Sequence, residues 1–189
     1  GQGVFTTELI RRHPFLPVEE DGRLNDPLIR ENFIERVFAY RRLKDLFVEG
    51  WTVGDVVAFH SREKLLLRAH HEAGYRELGQ LVAKAKSVPR AAFRDDYIDR
   101  FMTVMAKRAT VKRHANVLQH MVSFLRWEGD EGGRRDMHDA IEDYRNGLVP
   151  LIVPITLMRH LARQHDQELL LDSSYLDPHP KELMLRNHA

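Results

Sequence analysis

The chain has no cysteine in its 189 residues, which excludes a disulfide, a thiolate nucleophile and a thiolate-ligated iron–sulfur cluster or zinc within it. A large excess of charge is also missing, since the formal net charge is +1 at pH 7, so any nucleic-acid surface has to be a local patch. No apolar run approaches the ~20 residues of a membrane span. Residues 1–10 lack the basic start and apolar core of a signal peptide. We therefore expect a soluble, cytoplasmic protein with no membrane partner.

The chain after residue 25 has mostly helical periodicity, and no segment shows the alternation expected of paired strands. Asp26 is expected to cap a first helix that has Pro27 at its first position. Thr52 and Asp55 resemble a capping box for the second helix. An apolar stripe predicts the buried face of the first helix: Ile29, Phe33, Val37, Tyr40 and Phe47.

Further helices are predicted over residues 72–86, 91–108, 111–127, 136–145 and 150–165. Residues 1–25 are expected to be irregular because Pro14, Pro17 and Gly22 interrupt them. The predicted fold is all-α, a bundle of about six to seven helices behind an irregular N-terminal segment.

One stretch is unusually basic for a chain so nearly neutral. Residues 100–127 contain no Asp or Glu but six cations: Arg100, Lys107, Arg108, Lys112, Arg113 and Arg126. Asn116, Gln119, His120 and Ser123 lie among them, and such side chains bond to phosphate, sugar and base edges. A solvated helix face is the ordinary explanation of such a stretch, but the missing acids favour a phosphate-binding surface.

Two polar side chains fall on apolar helix faces. His114 projects into the apolar arc of the helix over residues 111–127, where a buried, hydrogen-bonded histidine is the expected outcome. Lys64 shares a face of the second helix with His60 and with valines, and an unpaired lysine there is costly. An ion pair with a carboxylate is the commoner solution, and an inward pocket using His60 and Lys64 is the alternative.

The eleven histidines raise the question of a metal site. His70 and His71 are adjacent and so point in different directions on a helix. The sequence has no HExxH motif, no glycine-rich phosphate loop and no recognisable nucleophile triad. We expect no catalytic activity in this chain alone.

Several segments resemble the YbgA family, a helical domain of unknown function. They are FHSREK at residues 59–64, YRELG at 75–79, TVKRHANVLQH at 110–120, YRNG at 144–147, PLIVP at 150–154, YLDPHP at 175–180 and LRN at 185–187. Ser123 and Phe124 stand where many members have a glycine–tyrosine pair. The resemblance implies a YbgA-like helical domain over residues 26–189.

The front of the chain resembles a different family. GVFT at residues 3–6 and LPVEEDGRLND at 16–26 are similar to the C-terminal end of a thiouridine desulfidase domain. In that family the domain is commonly fused ahead of a YbgA-like domain, binds an iron–sulfur cluster through three cysteines and removes sulfur from 4-thiouridine in tRNA. The resemblance implies that residues 1–25 are a remnant of such an upstream domain. It implies that the cluster belongs there, that this chain has no cofactor of its own, and that the helical part binds tRNA.

The function expected from both arguments is a tRNA-binding module of a tRNA 4-thiouridine desulfidase, with tRNA and the upstream domain as partners. The side chains expected to contact RNA are Arg108, Lys112, Arg113, Asn116 and His120, with His60, Lys64, Arg41 and Arg42 as further candidates. Two alternatives stay open. One is a structural or oligomerisation module, and the other is a metallohydrolase built on His60, His114 and His120.

Overall fold

The computed structural model describes residues 3–127 and 129–187. Residues 1–2 of the expected N-terminal remnant and residues 188–189 of the expected helical domain lie outside the described residues. The described residues form nine α-helices and no β-strand, which confirms an all-α fold. The helices are α1 Val4–Arg12, α2 Pro27–Leu46, α3 Val53–His70, α4 Glu72–Ala83, α5 Arg90–Met105, α6 Val111–Val122, α7 Glu131–Arg145, α8 Ile152–Gln164 and α9 Glu168–Leu171. Short 3-10 segments lie at Asp21–Asn25, Ala85–Ser87, Lys181–Leu183 and Leu185–Asn187. None of the described helices is long and apolar enough to span a bilayer.

The predicted caps of α2 and α3 are confirmed. Asp26 Oδ1 accepts hydrogen bonds from the backbone N–H groups of Leu28 (2.8 Å) and Ile29 (3.2 Å). At the start of α3, the Thr52 hydroxyl accepts from the Asp55 N–H while the Asp55 carboxylate accepts from the Thr52 N–H. Each cap satisfies backbone donors that the first turn of a helix leaves unpaired.

Several helix boundaries differ from the prediction. Helix α4 ends at Ala83 and α5 at Met105, each three residues before its predicted end. The N-terminal segment contains α1 and becomes non-helical only from His13, next to Pro14. Helix α6 ends at Val122 instead of near residue 127, and Ser123 Oγ donates to the His120 carbonyl at 2.6 Å. Helix α7 begins at Glu131 because Asp130 Oδ1 accepts from the Gly133 N–H at 2.9 Å and caps it.

Helix α3 is the centre of the bundle, and it packs against α2, α4, α5 and α6. Leu65, Leu66 and Leu67 are consecutive in the chain, and all three are buried. Three buried neighbours in a row cover most of the circumference of a helix, so α3 is surrounded on nearly every side at this level.

The predicted buried face of α2 is wrong for Ile29, Phe33 and Val37, whereas Tyr40 and Phe47 do pack against the core. Val37 is 37% exposed, and Ile29, Phe33 and Tyr40 are only half-buried. The residues of α2 that face inward are spaced four apart: Glu31, Glu35, Ala39 and Leu43. Two carboxylates thus lie on the inner side, because the interior provides partners for them.

A third buried carboxylate, that of Glu63, ties the C-terminal tail to the bundle. Glu63 on α3 is fully buried, and its two oxygens accept from Arg42 at 2.7 and 2.9 Å. The Ser174 hydroxyl donates to Glu63 Oε1 at 2.6 Å, and Arg42 also donates to the Pro178 carbonyl at 2.9 Å. Helices α2 and α3 and the tail therefore share one polar contact.

We predict that Glu63→Gln lowers the free energy of unfolding by about 3 kcal/mol, because it leaves the Arg42 guanidinium partly buried without its counter-charge. The matched control is Asp45→Asn. It removes the partner of the adjacent Arg41, but both side chains of that pair are exposed, and the expected loss is below about 1 kcal/mol. Urea denaturation measures both, and equal losses would contradict the structural role of Glu63.

Candidate nucleic-acid interface and an adjoining polar cavity

Part of the basic stretch forms a continuous exposed surface. Lys112 and Asn116 lie one turn apart on the outer side of α6, and Arg108 lies in the linker just before it. All three side chains are exposed, and neither cation makes an ion pair with any described residue. We call Arg108, Lys112 and Asn116 the α6 face. Its charges are available to a ligand in solution.

Two arginines of the basic stretch are engaged within the protein. Arg100 pairs with Asp96 at 2.6 Å, so its charge is balanced by an acid that precedes the stretch. Arg113 turns toward the protein and donates to the backbone carbonyls of His70 (2.8 Å) and Arg108 (3.3 Å). Arg113 therefore joins the end of α3 to the linker before α6.

Lys64 and His120 lie together where α3 packs on α6. Lys64 has no ion pair among the described residues, contrary to the expected carboxylate partner, and its ammonium lies 5.3 Å from the centre of the Phe124 ring. His120 contacts the same ring edge-on at 4.9 Å. Partial burial, and then the positive charges of Arg68 and Lys64, lower the pKa of His120. An aromatic face takes the place of a counter-ion for Lys64.

The other predicted contacts lie elsewhere. His60 Nδ1 is 3.1 Å from the Tyr97 hydroxyl, and burial lowers the pKa of His60. Arg42 is held by Glu63, whereas Arg41 is exposed and paired with Asp45 at 3.0 Å. The structure brings together Arg108, Lys112, Arg113 and Asn116, and separately Lys64 and His120. It does not bring His60, Arg41 or Arg42 to the α6 face.

A polar cavity of about 240 Å³, which the sequence did not predict, opens beside the linker and the first turn of α6. Arg108, Thr110 and Val111 lie at its lining on that side. Most of its lining surface is apolar and includes Leu28 and Ala109. Its polar side chains come from four helices: Glu31, Asn32 and Glu35 from α2, His70 from α3, His114 from α6 and Tyr144 from α7. We call this space the polar cavity.

Glu35 is the most strongly engaged group of the polar cavity. Its Oε1 accepts from Arg186 at 2.9 Å, and its Oε2 lies 3.0 Å from His70 Nε2. Burial opposes ionisation of Glu35, but the His70 hydrogen bond and the Arg186 charge outweigh it and hold its pKa below the usual value. His70 Nδ1 lies 2.6 Å from the Lys107 carbonyl, so both ring nitrogens of His70 face acceptor oxygens.

Glu31 behaves in the opposite way. Burial, reinforced by the nearby Glu35 charge, raises the pKa of Glu31 to about 8, although Arg186 acts against this. Arg186 Nε is 3.5 Å from Glu31 Oε1, and that oxygen makes no hydrogen bond with any described group. One helix turn thus separates an ionised carboxylate from a carboxyl group that is mostly neutral at pH 7.

The prediction of a buried, hydrogen-bonded His114 is confirmed. Its Nδ1 lies 3.0 Å from the Tyr175 hydroxyl, and its ring meets Tyr144 edge-on with centres 6.3 Å apart. Burial, and then the Arg186 charge, lower the pKa of His114 to about 3, so the ring is neutral at pH 7. Burial raises the pKa of Tyr144 above its usual value. The wall formed by these two rings is polar but uncharged.

One group of described residues is close enough to hold a metal ion. It consists of Glu31, Glu35 and His179, whose potential ligand atoms lie within 4.8 Å of one another. The Arg186 guanidinium already supplies positive charge between the two carboxylates. His60, His114 and His120, proposed above as metal ligands, do not form such a group in the described structure.

Comparison with known proteins places the chain among relatives without a described activity. The sequence profile of a protein family of unknown function, DUF1722, matches residues 64–180. An uncharacterized protein, YbgA of Escherichia coli strain K12, is 29% identical over 153 residues, which cover 80% of this chain and 90% of that protein. No solved structure matches the chain. The profile covers α6 and its face, and Glu31, Glu35 and Arg186 lie outside the matched range.

The two carboxyl groups of the polar cavity predict opposite pH trends in stability. In the unfolded chain Glu31 releases its proton near its usual pKa of 4.5, whereas the folded state keeps it to about pH 8. Stability of the natural protein therefore falls between these values, and Glu31→Gln removes that fall. We predict that the free energy of unfolding of this variant rises relative to that of the natural protein as pH increases, by an amount on the order of a few kcal/mol.

Glu35→Gln is the matched comparison, because the pKa of Glu35 is lowered in the folded state. At neutral pH this variant is expected to be less stable than the natural protein by the whole contribution of the ionised Glu35. The difference is expected to shrink as pH falls below the usual carboxyl range. Chemical denaturation from about pH 2 to about pH 9 covers the pH ranges of both trends. The assignment fails if the two variants follow the same pH trend.

Proposed function

The chain belongs to the family of proteins of unknown function DUF1722, and from that premise we propose that it binds tRNA through the α6 face. The observation that carries the proposal is the exposure of Arg108 and Lys112 without any carboxylate partner among the described residues. Arg41 and Arg100, by contrast, are each paired with an acid one turn away. Unpaired cations on one surface attract a phosphate backbone and release its counterions.

The α6 face also carries groups that suit RNA in particular. Asn116 follows Lys112 by one turn, and its amide can donate to or accept from a 2′-hydroxyl or a base edge. The neighbouring α3–α6 contact adds the ammonium of Lys64, the imidazole of His120 and the aromatic ring of Phe124. A base or sugar next to a bound phosphate would meet these groups.

We further propose that the RNA bound by the α6 face is tRNA and that the partner is a thiouridine desulfidase domain. This is supported by the likeness of residues 3–6 and 16–26 to the end of such a domain. The chain contains no cysteine, so the cluster and the desulfurisation chemistry belong to that partner and not to these residues. The helical domain then holds the substrate.

We predict that Arg108→Glu with Lys112→Glu weakens tRNA binding about tenfold or more, and reduces the slope of log affinity against log salt by roughly 1.4 to 1.8. Two lost phosphate contacts account for that change in slope. Arg113 is left in place because it donates to the His70 carbonyl, and its loss would also disturb the fold.

The control is Lys86→Glu with Lys181→Glu, which changes the net charge equally at exposed lysines outside α6. Gel shifts with tRNA across a series of salt concentrations measure each protein. Equal weakening by both double variants would mean that net charge, and not the α6 face, governs binding. Unchanged binding by the first would refute the proposal.

A further inference from the structure

The polar cavity and the α6 face adjoin each other. Arg108 belongs to both, since its side chain is exposed and also contributes to the cavity lining. Thr110 and Val111, the cap and the first residue of α6, line the same side of the cavity. An RNA chain lying on the α6 face would therefore pass the entrance of the polar cavity.

The interior of the cavity presents polar atoms that make no hydrogen bond with the described residues, although Arg186 Nε lies 3.5 Å from Glu31 Oε1. Glu31 is only 6% exposed, yet its Oε1 has no hydrogen bond. His114 is also 6% exposed, and its one hydrogen bond among the described residues uses Nδ1 and leaves Nε2 free. The Tyr144 hydroxyl makes no hydrogen bond with the described residues either. Of these three, Glu31 Oε1 is the fully buried atom, and buried polar atoms are normally satisfied, so it indicates a ligand. His114 Nε2 and the Tyr144 hydroxyl are open to the cavity and are available to the same ligand.

We propose that the polar cavity binds one nucleotide, with the base inside, beside Glu31, His114 and Tyr144, and the phosphate at Arg108. The inference rests on the proposed function in taking tRNA as the source of that nucleotide. A base turned out of an RNA chain is typically read by hydrogen bonds to its edge and by contact with aromatic side chains.

The size and chemistry of the cavity fit a base. An apolar cavity of about 150 Å³ is large enough for benzene, and the polar cavity measures about 240 Å³. A neutral carboxyl group at Glu31 can donate and accept at once, which matches a base edge that carries a donor next to an acceptor. The Tyr144 and His114 rings supply the aromatic surface.

The rim of the cavity fits a phosphate. The first N–H groups of α6 have no partner within the helix, and the N-terminus of a helix carries partial positive charge. The Thr110 hydroxyl accepts from the Arg113 N–H at 3.4 Å, which leaves the N–H groups of Val111 and Lys112 to a ligand. Arg108 adds a full charge at the same edge.

The test is titration of the whole chain with each of the four ribonucleoside 5′-monophosphates, followed through the ring signals of Tyr144 and His114 by NMR. We expect saturable shifts with at least one of them. Val111→Trp places a large ring at the entrance and should weaken that binding by about tenfold or more. The control, Leu169→Trp on α9, enlarges a side chain that is 76% exposed and outside the cavity lining, and should leave binding unchanged.

Arg108→Ala should weaken the monophosphate but not the corresponding nucleoside, since only the former contacts the arginine. The proposal is overturned if none of the monophosphates shifts these signals. It is also overturned if Val111→Trp and Leu169→Trp behave alike while thermal melting shows both to be folded.

Competition with tRNA identifies the source of the nucleotide and separates this inference from the proposed function. Displacement of the bound monophosphate by tRNA supports an RNA nucleotide in the polar cavity. Monophosphate binding without displacement supports the cavity site for a free nucleotide and contradicts its link to RNA. Asn116→Ala should weaken tRNA alone, because Asn116 belongs to the α6 face but neither lines the cavity nor lies at its rim. Retained tRNA binding without monophosphate binding would refute the cavity and leave the α6 face standing.

Discussion

The carboxylate of Glu35 is buried where α2, the end of α3 and the C-terminal tail meet. An ionised carboxylate removed from water needs charged or donor partners, or it costs several kcal/mol. Glu35 has two such partners, Arg186 in the C-terminal tail and His70 at the end of α3. Because the partners come from distant parts of the chain, satisfying this one group positions α2, α3 and the tail relative to one another.

The same arrangement determines the character of the polar cavity. Arg186 lies closer to Glu35 than to Glu31, so one carboxyl group is ionised and the other is mostly neutral near pH 7. His114 is neutral as well, because burial and Arg186 both disfavour its charged form. The cavity therefore offers hydrogen-bonding groups with little net charge, while the cations remain outside on the α6 face. A nucleotide has the matching division, with a neutral base and a charged phosphate.

Local features of this fold were predictable from the sequence. Asp26 and Thr52 cap their helices as expected, since a cap depends on residues within one turn. The position of His114 on the inner face of α6 followed from helical periodicity. The direction of the Arg113 side chain did not, because its acceptors are backbone carbonyls of other segments.

The buried face of α2 shows why the polar cavity could not be predicted. Apolar periodicity selected Phe33 and Val37, whereas the structure buries Glu31 and Glu35. The partner that makes this possible, Arg186, is 151 positions from Glu35. A clue was present in the spacing of the two glutamates, four residues apart on one side of a helix, but spacing alone does not distinguish a buried pair from a solvated one.

These features support the proposal that RNA lies across the linker before α6 and the first turns of that helix. Hydrogen–deuterium exchange of the whole chain, with and without tRNA, tests this most directly. We predict that the backbone amides of residues 107–116 exchange more slowly when tRNA is added, and that those of α9 change little. Protection confined to other helices, or no protection at a tRNA concentration that saturates a gel shift, would contradict it.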